Sequence, residues 1–116
     1  MAIVFSDGRV VVGDGRVLER ASVLVEGGRI VKVSPKNIQM PKGCRRISLK
    51  GRTLLPGFID AHVHLCMDGS ADPVTSCLRE THTATTLKAA NFARQTLMAG
   101  VTMVRDMGGR DGIDLG

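Results

Sequence analysis

The spacing of apolar and polar residues changes character once along this chain, near residue 56. Before that point short apolar runs at 2–5, 10–12 and 21–26 are separated by Gly-rich punctuation. Such runs predict β-strands joined by turns, with Ser6-Asp7-Gly8 as one turn and Gly13-Asp14-Gly15 as a break. The clearest expectation is an antiparallel hairpin over residues 22–33. Two glycines, Gly27 and Gly28, sit between β-branched runs, and a tight two-residue turn needs the positive φ that glycine adopts freely. Residues 35–45 hold Pro35, Pro41 and Gly43 and read as a loop. Residues 47–49 and 52–55 predict two further short strands around Lys50-Gly51. Pro56-Gly57 is a strong break, and the domain boundary is placed there, giving parts 1–56 and 57–116.

The second part reads differently. In the octet 58–65 the odd positions Ile59, Ala61, Val63 and Leu65 are all apolar. The even positions Phe58, Asp60, His62 and His64 turn polar toward the C-terminal end. Period-two geometry puts these two sets on opposite faces of a strand, the apolar face wanting a helix over it. Residues 66–80, with Asp68-Gly69 and Asp72-Pro73, read as a loop. From 81 to 99 the period becomes helical, with Ala89, Phe92, Ala93 and Leu97 in one arc, threonines to cap the start and Gly100 to stop it. Residues 101–106 predict a strand ending in Met107-Gly108-Gly109. Strand, loop, helix and strand make a βαβ unit and a parallel sheet. The fold class expected is α/β with a β-rich N-terminal part.

Composition alters this picture in two ways. Among 116 residues there are fourteen glycines but only three aromatics, Phe5, Phe58 and Phe92, which implies a thin core. The net charge of +5 is concentrated: residues 29–52 hold eight Lys/Arg and no acid. No aromatic is interleaved there for base stacking, so a solvated strand edge, where Lys and Arg discourage stray pairing, is preferred to a nucleic-acid surface. No apolar run approaches the ~18 residues of a membrane span, and the first residues lack the pattern of a secretory leader. Cys44, Cys66 and Cys77 form no CxxC pair, which points to reduced thiols and a cytoplasmic setting.

His62 and His64 are the sharpest chemical feature. At i and i+2 of one strand their Cα atoms are about 6.5–7 Å apart on one face, close enough for both rings to reach a single cation. A bare HxH is common by chance, and two hydrogen-bonded structural histidines are the bland alternative. Position favours the metal: both fall at the C-terminal end of a strand in a βαβ context, where α/β folds place their sites. Asp60 shares that face and is expected to orient a ligand histidine, or serve structurally, rather than bind metal itself. His82 reads as an exposed histidine without special role, and Cys66 as a bystander. Arg105, Asp106 and Gly108-Gly109 end the second strand, where an Arg/Asp pair and a flexible turn explain them.

Linked blocks of residues then resemble a known family. The stretch Leu55-Pro56-Gly57-Phe58-Ile59-Asp60-Ala61-His62-Val63-His64-Leu65 resembles the first barrel strand of the amidohydrolase superfamily. Residues 25–33 and 51–57 resemble the small β-domain that accompanies that barrel. Residues 100–109 resemble the second strand of the branch holding metal-dependent dipeptidases and imidazolonepropionase-like enzymes. The resemblance implies a β-sandwich-like domain, of which 1–56 is the N-terminal part, and a (β/α)₈ barrel begun but not completed by 57–116. It implies one or two divalent ions, zinc by expectation, with His62 and His64 as ligands, activating water against an amide, lactam or ester carbon of a small molecule or dipeptide. The other ligands of the family lie on later strands, so this chain alone is expected to be inactive, with the missing C-terminal barrel as its partner and a homo-oligomer allowed for. The competing expectation is a complete, small, non-enzymatic β-rich binding protein whose HxH is incidental.

Overall fold

Ten consecutive residues, Ala2–Val11, form β1 of the computed structural model, which describes residues 1–115. Here the expected turn at Ser6-Asp7-Gly8 is corrected: the strand runs through it. Asp7 takes a φ of 62°, and the pairing register shifts on either side of Gly8, so the local turn signal survives as a bulge. The reason is tertiary. The strand is held on both sides, with Leu49 N–H donating to the Ser6 carbonyl at 2.7 Å and Arg9 N–H to the Arg52 carbonyl at 3.2 Å.

Strand β2 (Val17–Glu26) lies antiparallel to β1, and β3 (Arg29–Ser34) antiparallel to β2. The expected hairpin is present. Val23 pairs with Val33 and Glu26 with Arg29, while Gly27 and Gly28 adopt φ of 57° and 77°. Two short strands, β4 (Arg45–Ser48) and β5 (Thr53–Leu54), run parallel to successive parts of β1, giving the order β3-β2-β1-β4 with β5 also on β1. Val10, Ala21 and Val23 are buried together, and Phe5, Leu18, Val25 and Leu54 pack against them. The basic stretch lies partly on β3, the sheet edge, whose residues are largely exposed. This first unit is Met1–Pro56; a second is Gly57–Gly116, of which Gly116 lies outside the described residues.

The second unit begins with β6 (Phe58–Val63) and returns to it with β7 (Val101–Asp106), parallel, Asp60 beside Val104 and Val63 beside Asp106. The strand ends two residues short of the octet read from the sequence. Between the two strands lie α1 (Pro73–Arg79) and α2 (His82–Met98). The first helix corrects the loop expected over 66–80. Asp72 caps it by accepting from Thr75 N–H at 3.1 Å, and Pro73 occupies the first turn, where its missing N–H costs nothing. The second helix starts at the cap Thr81, whose Oγ1 accepts from Ala84 N–H at 3.2 Å, and stops at Gly100 with φ 99°. It packs on β7. Leu65, Ala93, Leu97 and Val104 line a cavity of 170 Å³ at that contact. The expected helical cover of β6 is therefore partial: Leu65 reaches the helix side, but Ile59 stays 68% exposed. A helix that leads straight into β7 through Gly100 covers its own strand first. No described helix is long and apolar enough to cross a membrane.

Candidate metal centre at the end of strand β6

His62, on β6, and His64, the first residue beyond it, come together with ring centroids 5.4 Å apart at 71°. A contact of this length is compatible with two rings that share one ion and equally with two structural histidines packed edge to face. His64 is further committed. Its Nδ1 lies 2.6 Å from the Gly108 carbonyl oxygen. A carbonyl only accepts, so Nδ1 carries a proton, and in the neutral ring Nε2 is then the nitrogen with the lone pair. Asp60 sits on the same strand, but its carboxylate accepts the backbone N–H of His62 at 3.1 Å and so acts on the main chain at the first histidine.

The end of β7 supplies the surrounding frame. Asp106 Oδ2 accepts the Leu65 N–H and Oδ1 the Gly108 N–H, both at 2.9 Å. Met107 N–H donates to the Val63 carbonyl at 2.9 Å, prolonging the pairing of the two strands. The sequence offered structural explanations for Asp106 and the glycines, and it missed that Gly108 would hold the His64 ring. The partner is a backbone carbonyl, which has no side-chain signature. The available signal was an acid at the end of the adjacent parallel strand.

The loop and helix beyond β6 are ordered by short polar contacts. Asp68 accepts from Ser70 N–H at 3.1 Å and Ser76 Oγ at 3.0 Å, and these bonds hold its pKa below the usual carboxylate value. Asp72 is lowered by Thr75 in the same way. Arg110 donates to the carbonyls of Cys77 and Glu80, the C-terminal end of α1, and Lys88 pairs with Glu80. His82 sits 3.0 Å from Asp111. Cys66 and Cys77 are buried together with Ala89. Burial first, then the neighbouring Cys66, pushes the Cys77 thiol pKa up, which makes a thiolate there unfavourable. Among the described residues no group of three or more His, Cys, Asp or Glu side chains gathers where it could hold a metal. Two imidazoles by themselves supply at most half of a tetrahedral metal shell.

A strand-rich first unit stands before a parallel βαβ second unit with a histidine pair at the end of its first strand. The profile of the amidohydrolase family matches residues 53–115, more than half of the chain, and the chain belongs to that family. Among curated proteins it is similar to imidazolonepropionase of Micrococcus luteus, 45% identical over 56 residues, which is 48% of this chain and 14% of that protein. Imidazolonepropionase of Porphyromonas gingivalis is 39% identical over 57 residues, 49% of this chain and 13% of its own length. Among solved structures, a prolidase complexed with N-methylphosphonate-L-proline matches 100% of this chain and 29% of its own, with TM-score 0.81 and 28% identity. An amidohydrolase matches 95% and 26%, with TM-score 0.81 and 32% identity. The chain thus covers only a minor part of the length of the relatives it matches.

Proposed function

We propose that this chain contributes the N-terminal portion of a metal-dependent hydrolase: part of a β-sandwich-like domain in 1–56 and the first βαβ unit of a (β/α)₈ barrel in 57–116. The observation that carries the reading is the imidazole pair at the end of β6, close enough to share one ion, with Nε2 as the free nitrogen of the neutral His64 ring. A divalent cation held there supplies Lewis acidity and lowers the pKa of water. Zinc suits two imidazole nitrogens, and one or two ions are allowed. His62 and His64 would hold and orient the ion, and Asp60 fixes the main chain at His62. The remaining ligands, the residues that move protons and those that select the substrate come from other parts of the whole protein.

The bond cleaved is an amide, lactam or ester of a small molecule. Two substrates are favoured, each by a different likeness. A dipeptide ending in proline is supported by the prolidase, which matches the full chain at 28% identity. An imidazolone ring is supported by the imidazolonepropionases, which match about half of it at up to 45%. A cytoplasmic site, a homo-oligomeric assembly and no nucleic-acid or membrane partner complete the proposal. The test is metal analysis and hydrolysis by the whole protein on Xaa-Pro dipeptides and imidazolone propionate. His62→Ala and His64→Ala should each abolish bound metal and turnover together, and the 116-residue chain with added zinc should show no turnover. Undiminished hydrolysis in both variants would refute the reading.

A further inference from the structure

Asp106 makes hydrogen bonds of a kind that a surface Arg/Asp pair does not need. Its two carboxylate oxygens reach two backbone amides on two different segments, Leu65 just beyond β6 and Gly108 just beyond β7, each at 2.9 Å. Leu65 is the residue after His64, and Gly108 is the residue whose carbonyl holds the His64 ring. The contacts therefore close a loop: His64 ring to Gly108 carbonyl, Gly108 amide to Asp106, and Asp106 to the amide that follows His64. Gly108 takes a φ of 104°, a conformation that side-chain-bearing residues rarely adopt, so this turn is built on a glycine. The carboxylate braces the turn from within.

From this geometry we infer that Asp106 is a positioning residue for His64: it braces the turn that carries the Gly108 carbonyl, so that the imidazole keeps its proton on Nδ1 and Nε2 would be the nitrogen left to bind a metal. A neutral imidazole has two tautomers, and the hydrogen bond made by one nitrogen decides which other nitrogen is left to bind. Partners that orient a ligand histidine typically change metal affinity by about 10–100-fold when removed. Here the orienting group is a carbonyl, and Asp106 acts one step behind it. The inference rests on the proposed role of His64 as a metal ligand, but its structural half, the tautomer, can be read without any metal.

The experiment uses the whole protein with ¹⁵N-labelled histidine, compared with its Asp106→Asn and Asp106→Ala variants. Long-range ¹H–¹⁵N spectra of the metal-free samples report the tautomer, the His64 signals being those lost in His64→Gln. Zinc affinity is measured against a competing chelator. The expected result is an Nδ1-protonated His64 in the parent protein and a mixture of tautomers in Asp106→Ala, with zinc affinity falling about 10–100-fold. Asp106→Asn keeps one acceptor oxygen and should lie between them; it also stands in should the alanine variant fail to fold. Thr81→Ala, remote from this loop of contacts, should lower the melting temperature without moving the tautomer. An unchanged His64 tautomer and unchanged zinc affinity in a folded Asp106 variant would overturn the inference. A parent protein that binds no zinc would instead overturn the metal reading, while the tautomer comparison would still decide the role of Asp106.

Discussion

The first unit buries parts of its two long strands, β1 and β2, and the second displays both of its strands. In the first, Val4, Val10, Ala21, Val23, Leu24 and Leu49 are all buried, and β1 is paired along both edges. Its polar side chains work on the backbone and on each other, as when Arg46 meets Asp7 at 2.6 Å and holds that carboxyl below its usual pKa. In the second, β6 and β7 pair only with each other among the described residues. Phe58, Ile59 and Met103 stay exposed, and the buried cluster is small: Cys66, Cys77 and Ala89. Yet the second unit carries the histidine pair and the braced turn. Its strand ends are held by hydrogen bonds to carboxylate and carbonyl oxygens, where the first unit adds an apolar core to bonds of the same kind. A site needs groups that stay accessible, so its frame is built from directional bonds.

Four substitutions or conditions test that contrast, in falling order of effect. Leu49→Ala, in the first unit's core, should cost about 2–5 kcal/mol, read as a lower urea midpoint. A loss under 1 kcal/mol would mean that this unit does not depend on its core. Gly57→Ala attacks the second unit at a close approach of strands. A Cβ there would run into the side chain of Thr102, so overpacking of about 1–3 kcal/mol is expected, with broadened amide signals along β6. Sharp, unshifted signals would show that the neighbouring strand yields freely.

Smaller effects separate the two helix starts of the second unit. Thr81→Ala removes the cap of α2 and should cost about 1 kcal/mol, with faster amide exchange at Ala84. Acid should act on α1 instead. The folded-state pKa values of Asp68 and Asp72 lie below normal, so their contribution is complete above the ordinary aspartate value and fades as pH falls through the lowered one, from about pH 4 downward. Protection factors should then drop at Thr75, capped by Asp72, and hold at Ala84, capped by an uncharged threonine. Equal loss at both amides would show that acid melts the unit as a whole and not the one cap.

The sequence by itself determined what depends on neighbours in the chain. Gly27-Gly28 announced its hairpin because only a turn of positive φ suits two glycines between β-branched runs. The stop at Gly100 was legible for equally local reasons, while of the several threonines at the start the structure selects Thr81 as the cap. The i, i+2 spacing of His62 and His64 keeps their rings close, 5.4 Å apart, although the strand ends at Val63, between the two. Tertiary structure decided whatever depends on a segment far along the chain. Ser6-Asp7-Gly8 became a bulge inside β1 because β4, β5 and the turn between them claim its other edge some forty residues later. The first helix was misread because its cap and proline resemble a turn until α1 continues beyond them. The tautomer of His64 was invisible in the sequence, because it is fixed by a backbone carbonyl 44 residues away. A carbonyl is the same in every residue, so only folding can say which one a histidine will meet.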